Sequence, residues 1–391
     1  MAEVGLSLAD RPQARRAALG LRLEETTETS GVALARDFDR HERVVRCRDA
    51  SSGLNAVVAL HDLSLGPALG GVRVVAHRTA GEAVGEALRI ARNATRRAAL
   101  AGLSLGGGAI VVIGSPRTVK SPALFRALGR AVDRLTGSFI ATCDQGATPH
   151  DLDFAAMETP FVVGASPGGG GDPSLATAYG VYLAVGAAVR HRLGRQDLKD
   201  LDVAIQGVGR VGYALAALLH RDGARLVVAD RDEEALGRAV GAFGAAAASP
   251  HDIHRVRADV FAPCAGAGTL DARTAPEVGA GIVCGSADAV MAGPEIAQAL
   301  HARGVLYVPD YLANAGGLVN AAAELDHHGY EREQAMRRIA DIGTRTQRVL
   351  SLADAEGTTP LAIADRLADE RVRGGRRALR LASRTPAWAH A

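Results

Sequence analysis

Lysine is almost missing from this sequence. Lys120 and Lys199 are the only two, and the rest of the 45 basic residues are arginines. Arginine keeps its proton in proteins, so a site that needs an amine to shed one has little to draw on. An excess of charge of one sign is also missing. The 45 basic and 43 acidic residues leave a formal net charge of +2, which points to neither nucleic acid nor an anionic membrane as partner. No apolar run is long enough to span a bilayer. The N-terminus carries arginines but no continuous apolar segment, so it does not read as a secretory signal. Aromatic residues are few, at 4%. The four cysteines (Cys47, Cys143, Cys264, Cys284) form no C-x-x-C and no metal-ligand spacing, so no metal is expected and buried, reduced thiols are. The expected location is the cytoplasm.

What is present is an α/β alternation over 391 residues, enough for two domains. Met1 to Gly31 shows no clear periodicity and reads as a mobile extension or a loosely docked helix. Strand patterns follow in ERVVRCRD, NAVVALHD and VRVVAH. Ala80 to Ala99 has helical periodicity. LAGLSLGGGAIVVIGSP reads as a glycine-rich turn feeding a buried strand. Ser121 to Leu135 reads as a helix, with Ser121 at the N-cap and Pro122 in the first turn. SFIATCDQG reads as another short strand, ending at Asp144. The run Gly168 to Gly171 reads as a flexible joint into a second domain. From Asn314 the pattern is helical almost to the end, and these helices are expected to return to the first domain. His327 and His328 are adjacent, a poor pairing for a metal on a helix, and are expected to face solvent.

The stretch from Val203 to Asp230 carries the strongest chemistry. An apolar run meets Gly207, Gly209 and Gly212 at the spacing G-x-G-x-x-G, a helical pattern follows, and a second apolar run ends on Asp230. This is the context of a dinucleotide-binding turn. Gly207 allows the tight turn, Gly209 lets a pyrophosphate approach the backbone, and Gly212 lets the helix pack on its strand. The helix start, with Arg210 and Val211, offers N–H groups and a positive dipole end to phosphates. Asp230 can accept hydrogen bonds from a ribose diol and would repel a 2′-phosphate. NAD is therefore the expected cofactor, a preference that the neighbouring Arg231 weakens slightly. The alternation then continues as a parallel, doubly wound sheet.

Several segments together resemble the glutamate/leucine/phenylalanine/valine dehydrogenase family, most of all its leucine and valine dehydrogenases. They are GPALGGVRV, AGLSLGGG, ATCDQGAT, GDPSLATAYGVY, AIQGVGRVG and PDYLANAGGLVN, in family order from about Val32 to Arg373. The resemblance implies an N-terminal substrate domain (32–165 plus about 325–391) and an NAD-binding Rossmann domain (166–324) that close over a cleft. It implies a homo-oligomer and an amino acid-like small-molecule substrate. It also implies reversible oxidative deamination: hydride leaves Cα for the nicotinamide, and water then attacks the imine. By the same resemblance Gly70 and Gly71 would bind the substrate carboxylate, Asp144 would handle the amino group and its protons, and Thr177 and Asn314 would contact the nicotinamide end of the cofactor.

Four positions in three segments depart from the family pattern. The carboxylate-binding lysine falls on Arg97, which keeps the charge with a different shape. The water-activating lysine falls on Ala109, which has no proton to move. In GSADAV, paired asparagines are replaced by Asp288 and Ala289, beside Ala287 on the cofactor side. Three readings stay open. The chain moves hydride on an altered amine–imine couple; or it is a low-activity branched-chain amino acid dehydrogenase; or it is a silent homologue that binds NAD. Plainer roles also stay open. Arg96 and Arg97 could be a solvated helix face, Asp144 a turn residue, Arg73 a partner for an acid on the neighbouring strand, and Cys143 a buried small residue.

Overall fold

A computed structural model describes residues 20–25, 37–166 and 168–382. Six strands form the first sheet: β1 (Leu21–Glu25), β2 (Arg43–Asp49), β3 (Leu54–Asp62), β4 (Ala68–Val75), β5 (Gly106–Ile113) and β6 (Phe139–Cys143), in the order β1-β2-β3-β5-β4-β6. The first four in that order pair antiparallel, while β4 runs parallel to β5 and β6. Parallel neighbours need crossovers. Helix α1 (Ala80–Leu100) joins β4 to β5, and α2 (Pro122–Asp133) joins β5 to β6, with α3 (Pro149–Ala156) following. As the sequence implies, Ser121 caps α2: its Oγ accepts the Leu124 N–H at 3.1 Å. Alternation along β5 divides two cores. Ala109 and Val111 pack under α1, and Ile110 and Val112 pack with Phe125 and Phe139 on the other face. The glycines of LGGGAI lie in the strand rather than in a turn. A Cβ on Gly107 would sit 2.0 Å from the Thr95 backbone nitrogen, so only glycine lets α1 lie this close.

Part of the supposed N-terminal extension is structured. Leu21–Glu25 pairs antiparallel with β2, Leu21 is buried, and Arg134 donates to its carbonyl at 2.9 Å. LRLEE alternates apolar and charged residues over only four positions, too short a run to stand out, and its strand pairs along its length with β2. The rest of Met1 to Gly31 lies outside the described residues.

Helix α4 (Ser174–Leu193) leads into the second sheet. Its elements are β7 (Asp202–Gln206), α5 (Arg210–Arg221), β8 (Arg225–Ala229), α6 (Glu233–Phe243), β9 (Ala246–Ala247), β10 (Ala258–Pro263), β11 (Ala280–Val283), α7 (Glu295–Ala302) and β12 (Leu306–Tyr307). The order β12-β11-β10-β7-β8-β9 is parallel throughout. Strand order reverses between β7 and β10, and in open parallel sheets ligands bind at such switch points.

The chain ends in α8 (Asp310–Ala313), α9 (Gly316–Ala322), α10 (Arg332–Glu356) and α11 (Pro360–Ala382). Helix α11 returns to the first sheet beside α1, while α10 packs on α4 and touches the first domain at the end of α1. Arg345 donates to Leu100 O at 2.7 Å, Arg371 to Gly102 O at 2.8 Å, and Arg376 pairs with the buried Asp62. His327 and His328 are exposed.

The glycine run is anchored. Glu324 accepts the N–H groups of Gly164 at 3.0 Å and Gly170 at 2.6 Å, and Asn320 donates to Gly170 O at 3.2 Å. A side chain on Gly169 or Gly170 would strike Glu324 or Asn320. Glycine here serves close approach to α9, a contact that local sequence does not reveal. Among the described residues no helix is long and apolar enough to cross a membrane.

Phe139 is fully buried, and its ring lies where a Cβ on Gly108 would go. Phe139→Ala is expected to destabilise the protein by about 3–5 kcal/mol, read as a lower urea midpoint. A loss below about 1 kcal/mol would contradict this account of the core.

Candidate active site

A cleft of about 290 Å³ lies between the end of β6 and the ends of β7 and β10. On the second-domain side, β7 stops at Gln206 and Gly207 turns with φ +89. A Cβ on Gly212 would lie 1.8 Å from Gly207 O, so this glycine is required for α5 to pack on the turn. Gly209 is different: a Cβ there meets nothing within 4 Å, and Gly209, Arg210 and Val211 line the cleft. The start of α5 has no side-chain cap, so its N–H groups are left for a ligand. Asp230 follows β8. Its Oδ2 accepts the Val208 N–H at 2.7 Å and its Oδ1 the Asp232 N–H at 2.9 Å, which holds it beside the glycine turn, half-buried. An uncapped helix start, an open space over Gly209 and an acid after the next strand fit a dinucleotide. Arg210 is turned toward Asp172, at 3.0 Å, and Arg231 is exposed.

On the first-domain side, a Cβ on Gly71 would lie 2.5 Å from Asp144 Cβ, so glycine lets Asp144 lie across the strand. Gly71 lines the cleft. Gly70 does not, because it packs on β5, where a Cβ would lie 2.1 Å from Gly108 O. Asp144 accepts the Gln145 N–H at 2.7 Å and Arg73 Nε at 2.9 Å. Arg73 also donates to Glu86 at 3.1 Å and to Asp288 at 2.7 Å. Arg97 donates Nε to Asn314 Oδ1 at 2.8 Å and Nη2 to Asp288. Asn314 completes the group, donating Nδ2 to Asp288 Oδ1 at 3.1 Å and to Ser286 O at 3.2 Å. Burial works against the charge on Asp288, yet Arg97 and Arg73 outweigh it and hold the carboxyl below its usual range.

The cleft thus brings together Gly71, Arg97, Asp144, Thr177, Gly209, Arg210, Val211, Ala287 and Asn314. Thr177 enters from the first turn of α4, with its hydroxyl donating to Pro173 O at 3.0 Å. Gly70, Ala109, Gly207, Gly212, Asp230 and Arg231 are not among the lining residues. Ala109 is wholly buried. It pairs with Gly71 across β4 and β5, so the two lie on the same face of the sheet. Lys120 pairs with Asp151, and Lys199 lies by Gly223; neither lines the cleft. Arg96 lies apart from the cleft, paired with Asp365 at 3.2 Å and above the Tyr311 ring. Arg73 pairs with an acid at the end of the neighbouring strand, Asp144 after β6, and also reaches Glu86 and Asp288. Its position two residues after the glycine pair, on the same strand face as Gly71, was the available signal. Burial raises the Cys143 thiol to about 12, consistent with a packed rather than a reactive side chain. Ala289 sits at φ +52, a left-handed conformation that asparagine tolerates better than alanine.

Behind the network, Asp310 is buried and accepts the Val290 N–H at 3.0 Å. Burial, and then repulsion from Asp288, push its carboxyl up to about 6. An unfolded aspartate titrates near pH 3.9, so the folded state binds this proton more tightly. The resulting stabilisation is fully present below about pH 4, declines as pH rises to about 6 and is absent above; its size is roughly 3 kcal/mol. Asp310→Asn lacks this term. Relative to wild type, its stability is expected to rise by up to about that amount between pH 4 and 7 in urea titrations. A difference independent of pH would contradict the assignment.

Known proteins resemble this one along most of its length. Residues 41–161 match the Glu/Leu/Phe/Val dehydrogenase dimerisation domain, and residues 168–238 and 239–373 match the Glutamate/Leucine/Phenylalanine/Valine dehydrogenase domain. Leucine dehydrogenase of Geobacillus stearothermophilus is 44% identical over 340 residues, spanning 86% of this chain and 92% of its own. Valine dehydrogenase of Streptomyces albus is 40% identical over 341 residues, spanning 86% of this chain and 93% of its own. The crystal structure of L-tryptophan dehydrogenase from Nostoc punctiforme superposes with a TM-score of 0.69 at 35% identity, covering 86% of this chain and 97% of that one. The two-sheet fold, the glycine turn at the switch point and these matches agree: the chain belongs to the Glu/Leu/Phe/Val dehydrogenase family, whose members are NAD(H)-linked amino-acid dehydrogenases.

Proposed function

We propose that this chain interconverts an amine and its imine on an amino acid-like substrate, exchanging hydride with NAD(H), and that ordinary hydrolytic deamination does not follow. The observation that carries the reading is Ala109, a buried methyl group where the family pattern has its water-activating lysine. Hydride transfer and imine hydrolysis make separate demands. The first needs geometry and arranged charge. The second needs a base for water and an acid for the leaving ammonia, each worth roughly 10²–10⁴ in rate.

The residues divide accordingly. Gly209, Arg210, Val211 and Ala287 would hold NAD(H), with Asp230 at its ribose and Thr177 and Asn314 at its nicotinamide end. Bound there, the cofactor supplies the hydride acceptor or donor. In oxidation, Cα loses a hydride and nitrogen a proton, leaving a C=N bond. Asp144 stands beside Gly71 to take that proton, and Arg73 keeps its carboxylate aimed into the cleft. In this reading the domains are residues 32–165 plus about 325–391, and 166–324. A homo-oligomer is part of this reading; the similar structure from Thermus thermophilus is a hetero-hexameric glutamate dehydrogenase, at 26% identity and a TM-score of 0.70.

One observation favours a second reading. Identity of 44% to a leucine dehydrogenase supports ordinary deamination of a branched-chain amino acid, with Asp144 and a water chain in the lysine's role. A silent homologue is less well supported, since Asp144, Thr177 and Asn314 all line the cleft.

The test uses purified protein with NADH and a panel of cyclic imines, followed at the nicotinamide absorbance, beside 2-oxo acids with ammonium. Oxidation of NADH by at least one imine, with little by the 2-oxo acids, is expected. A panel with no oxidation while NADH is bound would overturn the proposal.

A further inference from the structure

Both guanidinium groups of the cleft are engaged by the protein itself, Arg73 through all three nitrogens and Arg97 through two. Arg73 gives Nε to Asp144, Nη1 to Glu86 and Nη2 to Asp288, so each of its nitrogens meets a carboxylate. Arg97 gives Nε to Asn314 and Nη2 to Asp288. Asp288 uses one oxygen for each arginine, and all three side chains are 15% exposed or less. The cluster therefore sets two cations against three carboxylates, Glu86, Asp144 and Asp288. A further carboxylate would have to displace Asp288 or lie beside it. Displacement strips two charge-assisted hydrogen bonds from a buried group, and lying beside it sets like charges together at low dielectric. An ammonium or iminium group meets the opposite situation.

We propose that Asp288 is a specificity-determining residue that stands in for a substrate carboxylate, so that the site takes an amine, or its imine, whose carboxyl is absent or masked as an amide or ester. The proposal names the substrate class of the amine–imine reading and rests on it. Arg97 then acts as a clamp on Asp288 and Asn314 rather than on the substrate, and Gly71 gives room to Asp144 rather than to a carboxylate.

The test compares L-leucine with L-leucinamide, a compound of nearly the same shape in which a neutral carboxamide replaces the carboxylate. Two readouts are taken: NADH formation from NAD⁺, and calorimetric binding of each compound to the NADH-loaded protein. Wild type is expected to favour the amide by about tenfold or more in both. Asp288→Asn removes the internal charge that holds Arg73 Nη2 and Arg97 Nη2, and is expected to shift the ratio toward L-leucine by about tenfold or more. Preference for L-leucine in the wild type, an unshifted ratio in Asp288→Asn, or binding of neither compound overturns the proposal. If Asp288→Asn does not fold, the wild-type ratio decides alone. Binding of the amide without turnover of either compound supports the role of Asp288 and counts against the amine–imine reading, which separates the two.

Discussion

Asp288 holds the two halves of the molecule together at the point where chemistry would occur. Its carboxylate comes from the Rossmann side and meets Arg73 from β4 and Arg97 from α1. Three charged groups of this kind, largely withdrawn from water, are costly unless mutually satisfied. That condition dictates much around them. Asn314 must present its amide oxygen to Arg97 and its nitrogen to Asp288. Asp144 must lie across Gly71 to reach Arg73. Asp310, next behind, is buried and meets a negative neighbour, and for both reasons holds its proton to a higher pH.

The backbone makes this cluster possible by omitting side chains at chosen points. Gly71 clears the space for Asp144, Gly107 lets α1 lie on β5, and Gly212 lets α5 pack on the turn. Gly209 is the exception, facing open space where a ligand would come. The sheet register adds a second constraint. Ala109 stands opposite Gly71, so a lysine at 109 would leave the sheet on the face that holds Asp144 and Arg73. Ala109 itself offers only a buried methyl group there, with no proton to transfer.

The second sheet was the most legible part of the sequence. Its strand, glycine turn, helix and acid are local signals with fixed spacing, and the Ser121 cap was equally local. β1 was not legible, because the alternation in LRLEE is too short a run to stand out. The run Gly168 to Gly171 suggested a free joint, and its anchor, Glu324, lies about 150 residues further on. The glycine pair also divided: Gly71 faces the cleft, while Gly70 serves the packing of β4 on β5. The departure at Asp288 was visible in the motif. Its grip on both arginines was not, since it depends on how the two domains meet.

The central claim is that losing the base at position 109 separates hydride transfer from hydrolysis. Ala109→Lys tests it most directly. The measurement pairs two rates for wild type and variant: ammonia release from an amine substrate with NAD⁺, and reduction of a preformed cyclic imine with NADH. The account predicts that the variant raises the first by roughly 10²–10⁴ and changes the second by no more than a few-fold. Equal changes in both rates, or no gain in ammonia release from a folded variant that binds NADH, would contradict it.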